Sequence, residues 1–211
     1  MLENIKWLGN SGFKLISNSG KIIYIDPFKT TETEKADLIL ITHEHYDHCS
    51  PEDVIKLSKP DTIIVTVPDC QSKLALTFNK IKNLKLVEPG KKLVIEDIEI
   101  EAVPAYNIGK NFHRKENDWV GFIINMGNKR IYHAGDTDLI PEMSNLKDID
   151  LALIPIGGTY TMNSEEAAKC TETIKPKIAI PMHYGTIVGT LEDAEKFKKL
   201  AKCEAKILSK A

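Results

Sequence analysis

The sequence predicts an α/β protein made of two mixed β-sheets packed face to face, with helices on both outer faces. Three observations carry that expectation. Short β-branched runs separated by tight turns fill the first half, the pattern of a meander. The last third alternates apolar runs with helical segments and so ends βαβαβ. The run at 151–156 is apolar throughout, as expected of a strand covered on both sides.

In chain order, residues 4–8, 13–17, 21–25, 38–42 and 62–67 read as strands. Ser50-Pro51-Glu52-Asp53 supplies a cap, a proline at the first helical position and acids in the first turn, which predicts a helix to about residue 59. Asp69 can cap a second, to about residue 80. Segments 92–95 and 98–103, joined at Glu96-Asp97, form a hairpin pattern, and so do 119–126 and 129–134 about Gly127-Asn128. Between the two hairpins lies a polar, aperiodic segment, 104–118, of a length that in compact domains usually serves function. After the strand at 151–156, Asn163-x-x-Glu166 opens a helix to about residue 173. A strand at 177–182, a helix at 191–202 and a strand at 205–208 complete the chain.

With 211 residues, 42% of them hydrophobic and 27% charged, the expectation is one folded domain over residues 1–211 rather than a fibrous or disordered chain. A net charge of −2 offers no overall attraction for nucleic acid or an anionic membrane surface. The longest apolar runs fall far short of the ~20 residues of a membrane helix, so no membrane insertion is expected. The N-terminus lacks a basic segment followed by an apolar one, which points to the cytoplasm. Cys49, Cys70, Cys170 and Cys203 lie far apart, as free thiols in a reducing compartment would.

Three of the six histidines fall within THEHYDH, residues 42–48, directly after a predicted strand. In an extended or tightly turning segment residues two apart project to one side, so His43 and His45 can address one metal, and Asp47 with His48 a second. Imidazole and carboxylate suit zinc, manganese or iron. Asp136 in YHAGDTD and His183 in PMHYGT also follow strands, and ligands gather outside the carboxyl ends of strands in α/β sheets. A surface loop explains any one of these residues; it does not explain the spacing of the first cluster.

THEHYDH resembles the H-x-H-x-D-H signature of the metallo-β-lactamase superfamily. HAGDTD, PMHYGT and Ile25-Asp26-Pro27 resemble its later Asp and His motifs and its early Asp motif. Within it, WLGNSGF near the start and GGTYTM at 157–162 most resemble the metal-dependent hydrolases related to L-ascorbate-6-phosphate lactonase, with a phospholipase D acting on N-acyl phosphatidylethanolamine as a more distant likeness. The resemblance implies a four-layer αβ/βα sandwich and two divalent metals, zinc first, with manganese or iron as alternatives. It implies that His43, His45 and Asp136 hold one metal and Asp47, His48, Asp136 and His183 the other.

The family pattern has one more histidine before the Asp motif. Relatives often carry histidine where this chain has Asn107, and also where it has Asn10. His113 is the histidine left in the 104–118 loop and is assigned to the first metal by elimination; the alternative is a solvated His113, with Asn107 or water completing the shell. Asp26 and His133 are expected behind the ligands rather than among them.

The implied chemistry is hydrolysis by a dinuclear metal-bound hydroxide, with Asp47 orienting it or shuttling its proton. The bond is expected to be a carboxylic ester or lactone, such as a sugar-phosphate lactone, in a small-molecule substrate. Phosphodiester hydrolysis is the alternative, and a non-catalytic metal-binding protein the second. Lys110 and Arg114, with Lys115 beside them, could contact an anionic substrate group, though a solvated charge run explains them as well. Tyr160, Thr161 and Tyr184 flank the motifs and could line a pocket. A homo-oligomer is compatible with all of this.

Overall fold

Strands pair in the order in which the chain makes them. The structure, a computed structural model, describes residues 2–75 and 83–211 and divides into two compact units, Met1–Glu88 with Ser209–Ala211 and Pro89–Leu208, each with one sheet.

In the first unit β1 (Ile5–Gly9), β2 (Gly12–Ile16), β3 (Ile22–Ile25), β4 (Leu38–Ile41), β5 (Ile63–Thr66) and β6 (Asn83–Leu86) lie side by side. β1 to β3 are antiparallel, because tight turns join them; β3 to β6 are parallel, because longer crossovers do. α1 (Pro51–Leu57) is one crossover. Its Ser50 cap accepts from the Asp53 N–H, and the helix stops where Ser58 turns extended.

The expected cap at Asp69 does not form. α2 (Cys70–Leu74) is entered through a turn in which the amides of Cys70 and Gln71 donate to the carbonyls of Val67 and Pro68, so Asp69 is already helical and its side chain makes no capping bond. The rest of that predicted helix lies outside the described residues. β6 is a strand that sequence reading misses. Its sequence, Asn-Leu-Lys-Leu, does alternate polar and apolar, but over only four residues, with Leu84 half-buried and Leu86 exposed, as suits a short edge strand.

The second unit repeats the plan. β7 (Lys92–Ile95), β8 (Ile98–Pro104), β9 (Val120–Met126) and β10 (Lys129–His133) are antiparallel, and β11 (Leu151–Pro155), β12 (Ile178–Met182) and β13 (Glu204–Ala205) continue parallel to β10. α3 (Ser164–Ile174) and α4 (Leu191–Leu200) begin with capping boxes, Asn163 with Glu166 and Thr190 with Asp193, each cap being worth about 1 kcal/mol. The final strand is shorter than the 205–208 expected: β13 ends at Ala205, and Lys210 instead forms a bridge to Trp7 of the first unit.

Each sheet is therefore mixed and accompanied by α-helices, the α/β composition predicted. Among the described residues no helix is long and apolar enough to cross a membrane. The parallel strands β3, β4, β10 and β12 run out directly before Asp26, Thr42-His43, the 134–138 turn and His183.

Candidate metal centre

β4 is buried along its length, so the chain emerges at Thr42 with its direction set. Asp26, fully buried with a left-handed φ of 43°, accepts from the Thr42 N–H at 2.8 Å and its hydroxyl at 2.7 Å, and lies 2.7 Å from His48 Nδ1. The Thr42 hydroxyl lies 3.0 Å from His43 Nδ1. With its proton given to Asp26, that hydroxyl can only accept, so both histidines carry their proton on Nδ1 and their lone pair on Nε2. This is how metal-ligating histidines are oriented by outer partners.

The ligand-side atoms are spaced for a cation. His43 Nε2 lies 3.1 Å from His45 Nδ1, and His48 Nε2 lies 3.3 Å from Asp47 Oδ2. A tetrahedron of bonds of ~2.0–2.1 Å has an edge of about 3.3–3.4 Å. The donor set and its spacing fit divalent metal.

The second unit gathers its groups from three loops. His113 Nε2 and His183 Nε2 lie 3.3 and 3.1 Å from the same oxygen, Oδ2 of Asp136. All three residues are buried, and both histidines take left-handed φ, 54° and 58°, a conformation that non-glycine residues adopt sparingly and that clusters at functional sites. Asn107 holds His113: its amide lies 3.2 Å from His113 Nδ1, and its backbone N–H donates to the His113 carbonyl at 2.7 Å. Of the two residues left open by sequence, His113 thus faces Asp136 and Asn107 sits behind it.

A family model described as the β-lactamase superfamily domain matches residues 4–183. The chain belongs to the metallo-β-lactamase superfamily. It is 38% identical to the UPF0173 metal-dependent hydrolase Ta0764 of Thermoplasma acidophilum, over 95% of this chain and 92% of that one. A crystal structure from Parabacteroides distasonis, assigned as a metal-dependent hydrolase, is 34% identical over 97% of this chain and 93% of its own, with a TM-score of 0.85. Igni18, a metallo hydrolase of Ignicoccus hospitalis, follows at 26% identity, 98% and 95% coverage and a TM-score of 0.77.

The remaining expected positions fall as follows in this superfamily member. His133 is fully buried and its Nδ1 accepts from the Gly135 N–H, so it shapes the turn bearing Asp136. Lys110 donates to Asp138 and to the Thr161 carbonyl, and Lys115 pairs with Glu142 at 3.0 Å; both tie the loop down. Arg114 is exposed. Tyr160 packs edge-on against Phe112 and its carbonyl accepts from Asn107, Thr161 is buried, and burial raises the phenol pKa of Tyr184, with Glu195 adding to it.

Sequence reading overlooked four supports. Asn10 donates to Asp47 Oδ2 at 2.9 Å, and Thr42 links Asp26 to the histidines. Asp138 accepts from the Ile108 N–H and from Lys110 and so fastens the His113 loop. Gly157 leaves space for His183, since a Cβ there would lie 2.7 Å from the His183 carbonyl and 3.0 Å from its Nδ1. Asn10, Thr42, Asp138 and Gly157 all stand inside the quoted motifs, which was the available signal.

Proposed function

We propose that this metal-dependent hydrolase cleaves a carboxylic ester or lactone bond in a small molecule, such as a sugar-phosphate lactone, with both units acting as one domain over residues 1–211. In this reading His43, His45, His113 and Asp136 hold one divalent ion, and Asp47, His48, Asp136 and His183 hold a second, zinc in each. The observation that carries it is the spacing of the donor atoms: four pairs at 3.1–3.3 Å in buried or half-buried surroundings, at the length of a coordination-polyhedron edge.

Ions bound there supply Lewis acidity and acidify a water to a pKa of about 7. The chain's own residues do the rest. Asp26 and Thr42 hold the two imidazoles in one tautomer. Asn10 fixes Asp47 with one carboxylate oxygen engaged, and Asp47 takes the proton of the attacking water and passes it to the departing alkoxide oxygen. The superfamily resemblance supports the ester or lactone choice.

Elemental analysis of protein purified without chelator or histidine tag tests the centre, with about two transition-metal ions per chain expected. Metal-free protein that takes up no zinc or manganese on soaking overturns it. Assays on sugar-phosphate lactones beside phosphodiesters test the bond; turnover of the phosphodiesters alone replaces this reading.

A further inference from the structure

Among its described residues the second unit leaves six large apolar side chains exposed. Val94 stands on the edge strand β7, and Leu191 and Leu200 on α4, where single exposed apolar residues are ordinary. The other three stand on loops that carry proposed ligands. Ile108 and Phe112, 56% and 46% exposed, lie on the loop of His113, and Ile187, 36% exposed, lies four residues after His183. Exposed apolar groups gathered in one place mark a surface that something else covers.

A single amide ties this surface to the centre. The Asn107 side-chain nitrogen lies 3.2 Å from His113 Nδ1 and donates to the carbonyls of Phe112 at 3.1 Å and Tyr160 at 2.6 Å. The Phe112 and Tyr160 rings meet edge-on with centroids 4.9 Å apart, so a partly exposed aromatic pair is anchored directly beside His113. The Ile108 N–H donates to Asp138 at 2.9 Å and fixes the same loop from another side. A surface ordered in advance loses little freedom when it is covered.

The charge of the loop agrees with this. Of its three cations, Lys110 is engaged by Asp138 and the Thr161 carbonyl and Lys115 by Glu142 at 3.0 Å, which leaves Arg114. A hydrocarbon group finds more here to cover than a phosphate finds to pair with. We infer that Phe112, Tyr160, Ile108 and Ile187 form an apolar rim to the reaction site, and that the substrate carries an alkyl or aryl arm beside the scissile bond. This inference rests on the ester or lactone hydrolysis proposed above and makes the arm, rather than a phosphate, the recognised group.

The test takes the zinc-loaded full chain with γ-butyrolactone, γ-octalactone and phosphogluconolactone, followed by acid release, and with acetate and octanoate in calorimetric titrations. The butyl arm of γ-octalactone is expected to raise kcat/KM about tenfold or more, and octanoate to bind about tenfold or more tightly than acetate. Phe112→Ala and Ile187→Ser are each expected to lower both preferences about threefold or more with metal content unchanged, and Phe112→Leu to keep them. An octanoate preference that Phe112→Ala abolishes, with no lactone turned over, upholds the apolar rim and removes the hydrolysis reading. Lactone turnover without a preference for the butyl arm, or with phosphogluconolactone preferred, keeps the hydrolysis reading and overturns the rim. Preferences that survive both Phe112→Ala and Ile187→Ser overturn it too. Co-sedimentation with phosphatidylcholine vesicles that Phe112→Ala abolishes, in place of any arm preference, gives the surface to lipid and overturns it as well.

Discussion

The two units present their proposed metal-holding groups in contrasting ways. In the first, His43, His45, Asp47 and His48 come from one stretch of six residues at the end of a buried strand, aligned by a single carboxylate, Asp26, and the Thr42 hydroxyl. In the second, His113, Asp136 and His183 come from three loops, and each depends on its own support: Asn107 behind His113, the His133–Gly135 turn under Asp136, and the bare Gly157 beside His183. A contiguous cluster needs one anchor and tolerates little else, whereas a dispersed one spreads its dependence over several weak points. Damage to the first should therefore come through Asp26, and damage to the second residue by residue.

The largest expected effect is at Asp136, whose Oδ2 meets two imidazoles. Asp136→Ala should bring hydrolysis to background and lower the metal content measured per chain; retention of both would break the comparison. Gly157→Ala comes next. Its Cβ forces His183 aside, and displacements of about 1 Å in a catalytic array cost about a hundredfold in rate. The loss should appear in kcat with circular dichroism unchanged. Asp26→Asn keeps an acceptor for the Thr42 amide but loses the charge that orders both histidines, so metal affinity should fall about ten- to a hundredfold, read by competition with a chelator.

The smallest effect concerns stability away from the centre. Lys14, on β2, is buried, which opposes its charge, yet hydrogen bonds with Glu32 and Glu34 outweigh that and hold its pKa above the ordinary value. The same contact with Lys14 is the main cause holding Glu32 below its usual 4.5. A depressed carboxylate stabilises the fold above its unfolded pKa and loses that contribution as pH falls through the folded value. Glu32→Gln should be less stable than wild type at pH 7, by on the order of 1 kcal/mol, and the two thermal midpoints should converge as pH falls below 4.5 and through the lowered pKa of the folded carboxyl.

Legibility in the sequence followed the same division. The helix caps Ser50 and Asn163, the hairpins at Glu96-Asp97 and Gly127-Asn128 and the run of parallel strands at the end were readable because each signal acts within a few residues. Asp69 misled because a cap residue in sequence does not state whether a preceding turn has already started the helix. β6 went unread because its alternation, Asn83-Leu84-Lys85-Leu86, spans only four residues and includes no β-branched or aromatic residue.

By itself the sequence determined the donor types, their attachment to strand ends and the alternation of sheet and helix. Those follow from backbone sterics, capping and the period of apolar residues, all local. Only the tertiary structure decided that His113 rather than Asn107 turns to Asp136, that Asn10 engages Asp47, and that Asp138 with Lys110 clamps the His113 loop. An aperiodic loop carries no rule for where its side chains point. That is set by left-handed backbone at His113 and by hydrogen bonds to partners dozens of residues away, which form only once the strands between them have paired.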